Sequence, residues 1–160
     1  MAPADPPRLN ERARTTVLVV GTDDWAVERA ATALASADID VLRCQEVGEP
    51  SFPCNAFIEG RVCPIDAGFD VVLTARARPA RSAEPREVGV VCALRAERPL
   101  VVAGVTVGNP FASVATTTVG EGGDAAEACR AAAHKIEAAD PEAAVVDTVD
   151  LRRQAGAPNR

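Results

Sequence analysis

Apolar residues in this chain alternate between short continuous runs and stretches of helical spacing. Thr16-Val-Leu-Val-Val20 is a continuous apolar run closed by Gly21, the pattern of a strand buried on both faces. Thr22, Asp23 and Asp24 offer helix N-caps. Val27, Ala30, Ala31 and Leu34 then recur at helical spacing, which predicts a helix over 24–37 with that stripe on a sheet. Ile39-Asp-Val-Leu-Arg43 is a second, shorter strand ending at Cys44. Phe69–Thr74 is a third, Leu100–Ala103 a fourth introduced by Pro99, and Val114–Val119 a fifth. Residues 75–86 read as a polar loop bearing Arg and Pro, and 88–98 as a short helix starting near Gly89. Residues 105–112 are rich in turn formers. Asp124 and Glu127 have capping-box spacing, and Ala125, Cys129, Ala132 and Ile136 form the apolar stripe of a helix over 124–138. Residues 1–14 read as a disordered leader. Beyond the last helix, Val145-Val146 could add a short strand, and the tail, 141–160, frays from Leu151 onward.

Buried strands alternating with helices predict an α/β fold: a single three-layer domain over 15–140, with a mostly parallel sheet covered on both faces and right-handed crossovers. Five such strands point to the flavodoxin-like order 2-1-3-4-5. The alternation fails once. Residues 44–68 stand where the second helix is due, yet carry Gly48, Pro50, Pro53, Gly60, Pro64 and Gly68. That many breakers exclude a long helix, leaving a cysteine-bearing loop with room for a short turn around Asn55–Glu59. Loops of this length are uncommon unless they are functional or tied together.

Composition narrows the functional classes. In a chain of 160 residues, apolar residues make up 48% and aromatic residues 3%, so the core is built from Val, Ala, Leu and Ile. Lys135 is the only lysine among seventeen basic residues, a bias of GC-rich genomes such as those of actinobacteria. A net charge of −6, without a basic run or stacking aromatics, argues against a nucleic-acid partner. No apolar run reaches the ~20 residues that span a membrane, and the polar, proline-rich N-terminus is no secretory signal. The expected compartment is the cytoplasm, where cysteines are reduced or metal-bound.

Candidate chemistry lies in the cysteines. Cys44, Cys54 and Cys63 fall in the irregular segment, and Cys92 is expected near the first turn of the helix after the third strand. The predicted topology puts all four along the carboxyl edge of the sheet, where open α/β folds bind ligands. A helix N-terminus there would favour a thiolate at Cys92. Four thiols can hold an iron–sulfur cluster or tetrahedral zinc, and Pro64 after Cys63 tilts the expectation slightly toward iron–sulfur. The spacings, with nine, eight and twenty-eight intervening residues, match neither a zinc nor a ferredoxin signature. Two alternatives stay open: separate small buried hydrophobes without a cofactor, and disulfide chemistry between Cys54 or Cys44 and Cys63. Cys129, on the last helix's apolar stripe, is a core residue.

Other motifs carry weaker readings. Gly120-Glu-Gly-Gly123 could cradle an anion, but Glu121 and Asp124 would repel a phosphate. Arg76, Arg78, Arg81 and Arg86 could meet an anionic partner or simply be solvated. Trp25 is expected to cover the cysteine loop, with lining a pocket at the ligand-binding edge as the alternative. His134 lies off the apolar stripe, facing solvent.

The first half resembles a response-regulator receiver domain. Thr16–Val20 with the following helix and Ile39–Leu42 is similar to the receiver's opening β-α-β unit. Asp70-Val-Val-Leu-Thr-Ala75 followed by Pro79 is similar to its third strand and the proline beyond it. In that register Ala75 stands where the resemblance implies a phosphoacceptor aspartate, and Gly21-Thr22 where it implies the acidic pair that binds Mg²⁺. No lysine follows the fifth strand. The expectation is therefore a non-enzymatic, receiver-like module with a cysteine-ligated metal centre, acting as a redox or metal sensor or an interaction domain. Protein partners or self-association go with it. A thiol–disulfide redox protein and a metal-free dimerisation or docking module are the alternatives.

Overall fold

The computed structural model describes residues 14–139. All of the expected 1–14 leader except Arg14, the Val145-Val146 strand and the tail lie outside the described residues. Strands β1 (Thr16–Gly21), β2 (Asp40–Arg43), β3 (Val71–Arg76), β4 (Leu100–Gly104) and β5 (Thr117–Val119) form one sheet in the order β2-β1-β3-β4-β5. Every pairing is parallel, so each connection must cross a face, as in flavodoxin-like folds.

Alternation along the strands divides the core in two. Val17, Val19, Val71, Leu73, Ala75, Val101 and Ala103 point to one side, against helices α1 (Asp24–Ser36) and α4 (Ala125–Ala139). Leu18, Val20, Val72, Leu100 and Val102 point to the other, against helix α3 (Val88–Arg95), Phe69 and Phe111. The Ala-rich stripes suit close approach: Ala31 and Leu34 of α1 are buried, as are Ala126, Cys129 and Ala132 of α4.

Helix ends follow local chemistry. The Asp23 carboxylate accepts from the Ala26 N–H at 2.9 Å and starts α1, and Asp124 accepts from Glu127 N–H at 2.9 Å at the start of α4. Helices α1 and α3 both close through Schellman-type bonds. Ile39 N–H donates to Leu34 O at 3.1 Å, and Arg98 N–H to Ala93 O at 3.0 Å. Each closure needs one left-handed residue, here Asp38 (φ 62) and Glu97 (φ 56). This turn ends α3 at Arg95, three residues before the sequence-based limit.

Two further boundaries differ from expectation. β3 runs on through Ala75 and Arg76, because Arg76 has a buried partner described below. The expected fifth strand loses its first half to a 3-10 turn over Ala112–Val114. Phe111 is buried there, and its N–H donates to Asn109 Oδ1 at 2.9 Å, so the chain is held in a turn until Thr116 N–H meets Leu100 O at 2.8 Å.

Candidate functional site

The irregular segment after β2 occupies the place of a crossover helix on the α3 side of the sheet. Leu42, Cys44 and Ile65 all pack on that side's core. Two short turns interrupt it: a 3-10 turn over Asn55–Phe57 and helix α2 (Pro64–Ala67). The second was not anticipated. Pro64 opens it at the one helical position where a missing N–H is harmless, and Gly68, at φ 84, closes it.

Polar stitches hold the segment. The Asn55 side-chain amide donates to the Cys44 carbonyl, and Gln45 Nε2 donates to Ser51 O at 3.1 Å. Arg61 grips the Glu49 carboxylate with both terminal nitrogens, at 2.6 and 2.8 Å, and also reaches Asn55 Oδ1 at 2.9 Å. The hydrogen bond from Arg61, then that from Glu46 N–H, holds the Glu49 carboxyl down at about 2. Sequence spacing alone did not single out Asn55, Glu49 or Arg61.

The stitches set the cysteines. Cys54 precedes the 3-10 turn, its carbonyl accepting from Phe57 N–H at 2.9 Å. Cys63 sits at the N-cap of α2, its carbonyl accepting from Asp66 and Ala67 N–H at 2.9 and 3.0 Å. Cys92 falls in the second turn of α3 rather than the first, because the helix starts at Val88. Gly89, one turn earlier, lies directly on Cys44: a Cβ there would stand 2.8 Å from Cys44 Sγ and 2.8 Å from Val20 Cγ1. Only glycine lets α3 approach that closely.

All five cysteines are free thiols. Cys44, Cys54, Cys63 and Cys92 are half-buried, and Cys129 is buried. Burial pushes the Cys44 thiol up to about 12, and negative charge on Cys54, Cys63 and Cys92 adds to the rise. Cys44 is thus the common electrostatic neighbour of the other three. Cys129 is raised to about 12 by burial alone. Among the described residues, no three His, Cys, Asp or Glu side chains stand in the arrangement of a metal site. The three other thiols act on Cys44 electrostatically without forming a coordination shell among the described residues.

The α3 side of the sheet also holds a buried ion pair. Arg76 and Glu87 have fully buried side chains and pair directly. Arg76 Nε donates to Glu87 Oε1 at 2.8 Å, and Thr74 Oγ1 donates to the same oxygen at 3.0 Å. Arg76 also donates to Ala80 O and Ser82 O, at 2.7 and 3.1 Å, which shapes the loop to α3. Arg76 is therefore no anion receptor, and Arg86 pairs with Asp24. Glu84-Pro-Arg-Glu87 forms a complete capping box around a 3-10 turn. That spacing was the available signal, with nothing to mark Glu87 as Arg76's partner.

The positions singled out by the receiver resemblance have structural roles here. Ala75 pairs with Gly21 and Ala103 at the carboxyl end of β3. Asp23 caps α1, Asp24 holds Arg86, and Lys135 lies within α4. Trp25 does not cover the cysteine segment. It is 62% exposed and lines a cleft between α1 and the loop before α4, to which Gly120–Gly123 also contribute. His134 is exposed on α4. No helix among the described residues is long and apolar enough to cross a membrane. Compared with known proteins, the chain matches no family model and no curated protein sequence.

Proposed function

We propose that this is a non-enzymatic, receiver-like module of the cytoplasm whose cysteine segment closes around a metal centre, an iron–sulfur cluster ahead of zinc. What supports the reading is that Cys54, Cys63 and Cys92 each act electrostatically on the half-buried Cys44, although they come from two loop turns and a helix that share no sequence spacing. Half-buried thiols suit metal ligation, being close enough to the core to be held and open enough to admit an ion. The donor set fits either group, since thiolates bind both zinc and iron–sulfur clusters. The proton that burial keeps on Cys44 must be displaced by a metal, so binding is coupled to deprotonation there. Asn55 and Arg61 would keep the segment near its closed shape, lowering the ordering cost.

A raised Cys44 also weighs against Cys44 as the attacking thiol of a disulfide exchange. An attacking thiol must ionise near neutral pH, and a thiol held at about 12 does not. Phosphorelay is disfavoured too, because Ala75 offers no acceptor and Asp23 and Asp24 are engaged elsewhere.

The segment also supports an interaction role. Val47, Phe52, Phe57 and Val62 lie on it and are 51%, 79%, 81% and 70% exposed. Large apolar side chains held out on one functional segment mark protein contacts. A centre that orders the segment would then govern how this surface is presented to a protein partner.

The test is an absorption spectrum with iron, sulfide and zinc analysis on the full chain purified without oxygen. Absorption near ~400 nm with bound iron and sulfide supports a cluster, and one zinc per chain supports a structural site. A metal-free protein with five free thiols, which takes up neither metal on reconstitution, overturns the proposal.

A further inference from the structure

The opposite side of the sheet holds a second feature that the cysteines do not explain. Between α1 and the β5–α4 loop runs a cleft of about 510 Å³, within the range of small-molecule sites. Its floor is the carboxyl ends of β3, β4 and β5, at Ala75, Ala103 and Val119, the edge at which open α/β sheets bind ligands. Ala30 and Ala33 of α1 line it, so the walls are apolar and low.

Three larger side chains define its chemistry. Trp25 stands on the α1 wall, 62% exposed, with the Arg29 guanidinium 5.2 Å from its ring centre. Among the described residues Arg29 has no carboxylate partner. Glu121 lines the cleft from the loop wall and has no ion pair among the described residues. Asp124, on the same wall, already caps α4, and the Arg76 head is turned inward to Glu87. A cation and an aromatic face thus stand on one wall, and carboxylates on the other.

A purely anionic ligand would be drawn to Arg29 but repelled by Glu121 and Asp124, and a purely cationic one would meet the reverse. A ligand bearing both charges satisfies both walls, and an apolar or aromatic body would lie on the alanines and against Trp25. We infer that this cleft binds a free amino acid with a large apolar or aromatic side chain, its carboxylate toward Arg29 and its ammonium group toward Glu121.

Trp25 is the only tryptophan and the chain has no tyrosine, so its emission reports on the cleft directly. The full chain is titrated with each of the twenty common L-amino acids, up to about 10 mM, past the millimolar range of weak specific ligands. Emission and calorimetry are read together. The expected result is saturable binding of the large apolar members, L-phenylalanine among them. Binding of 3-phenylpropionate and phenethylamine, which each lack one charge, should be at least about tenfold weaker, as should L-phenylalanine binding to Arg29→Ala or Glu121→Gln, the effect of one lost charge-assisted contact. Ala33→Phe, which fills the cleft from an exposed helix position, should abolish binding while the far-ultraviolet circular dichroism stays unchanged. Absence of saturable binding by any of the twenty overturns the inference. So does binding that the one-charge analogues match, or that both charge variants leave intact.

Discussion

The two sides of the sheet are built on different principles. On one, helices α1 and α4, of 13 and 15 residues, lay alanine-rich stripes on valines, and Cys129 is fully buried among them. On the other, an eight-residue helix shares the surface with an irregular segment. Hydrogen bonds from Asn55, Gln45 and Arg61, and the buried Arg76–Glu87 pair, take over much of what helical packing does opposite. The same residue type consequently means two things. Cys129 is a small hydrophobe whose sulfur has no task but filling space. Cys44, Cys54 and Cys63 remain half-buried at or within the irregular segment, and Cys92 is half-buried on the helix that shares its side of the sheet.

The largest way to break this contrast is through the ion pair. Replacing Arg76 by Ala leaves Glu87 buried and unpaired, and should lower unfolding stability by about 3–5 kcal/mol in urea titration. The double change Arg76→Met with Glu87→Leu should recover much of that loss, because removing both charges removes the desolvation cost as well. A double variant no more stable than Arg76→Ala would show that the pair shapes the 77–84 loop in a way packing cannot replace.

The next effect separates the two kinds of cysteine. Cys129→Ser puts a hydroxyl in an apolar core and should cost about 1–3 kcal/mol. Cys54→Ser and Cys63→Ser, in the metal-free protein, should each fall within about 1 kcal/mol of the parent, as at partly exposed sites. Equal costs on the two sides would erase the distinction.

Alkaline pH sharpens it. Cys44 and Cys129 are held at about 12 against an ordinary value of 9.0. The unfolded chain ionises both above pH 9 while the fold keeps them neutral. Their contribution is therefore complete below pH 9 and is lost as pH rises from 9 to 12. Urea midpoints of the metal-free protein should fall across that window, and less steeply in Cys129→Ala. Metal affinity should move the opposite way, rising with pH as Cys44 gives up its proton more readily. A flat midpoint over the window would contradict the burial of both thiols.

Helix ends give smaller effects. Glu97→Gly relieves a left-handed backbone at the end of α3 and should raise stability by about 1 kcal/mol. Phe52→Ser with Phe57→Ser should leave stability within about 0.5 kcal/mol, since neither ring packs inside, while weakening any self-association seen by sedimentation. Unfolding of that double variant would place the two rings in the fold instead of on its surface.

Periodicity made the regular side legible. The Val17–Val20 run and the Val27–Leu34 stripe predict β1, α1 and their contact, and the strand order follows from five buried strands in alternation. The irregular side was legible only as a failure of that pattern. Breakers at Gly48 to Gly68 show where a helix is absent, and three cysteines mark the place. The partners that organise it are not periodic. Arg61 reaches Glu49 across twelve positions, and Arg76 reaches Glu87 across eleven. Such pairs depend on the folded path of the loop, so sequence spacing does not reveal them. The fifth strand was overextended for a related reason: Val114 reads as β-branched, but Asn109 and Phe111 already commit the chain to a turn. Trp25 lies on the cleft because its helix faces α4, a pairing that the strand order implies only once the handedness of each crossover is followed.

The proposed centre needs four thiols acting together and leaves the fifth, Cys129, alone. The most direct test is metal occupancy across the five single Cys→Ser variants, reconstituted without oxygen under one set of conditions. The prediction is that Cys44→Ser, Cys54→Ser, Cys63→Ser and Cys92→Ser each lose most of the bound metal, while folded Cys129→Ser retains it. Full occupancy in Cys44→Ser, the thiol on which the other three act electrostatically, would contradict the central claim.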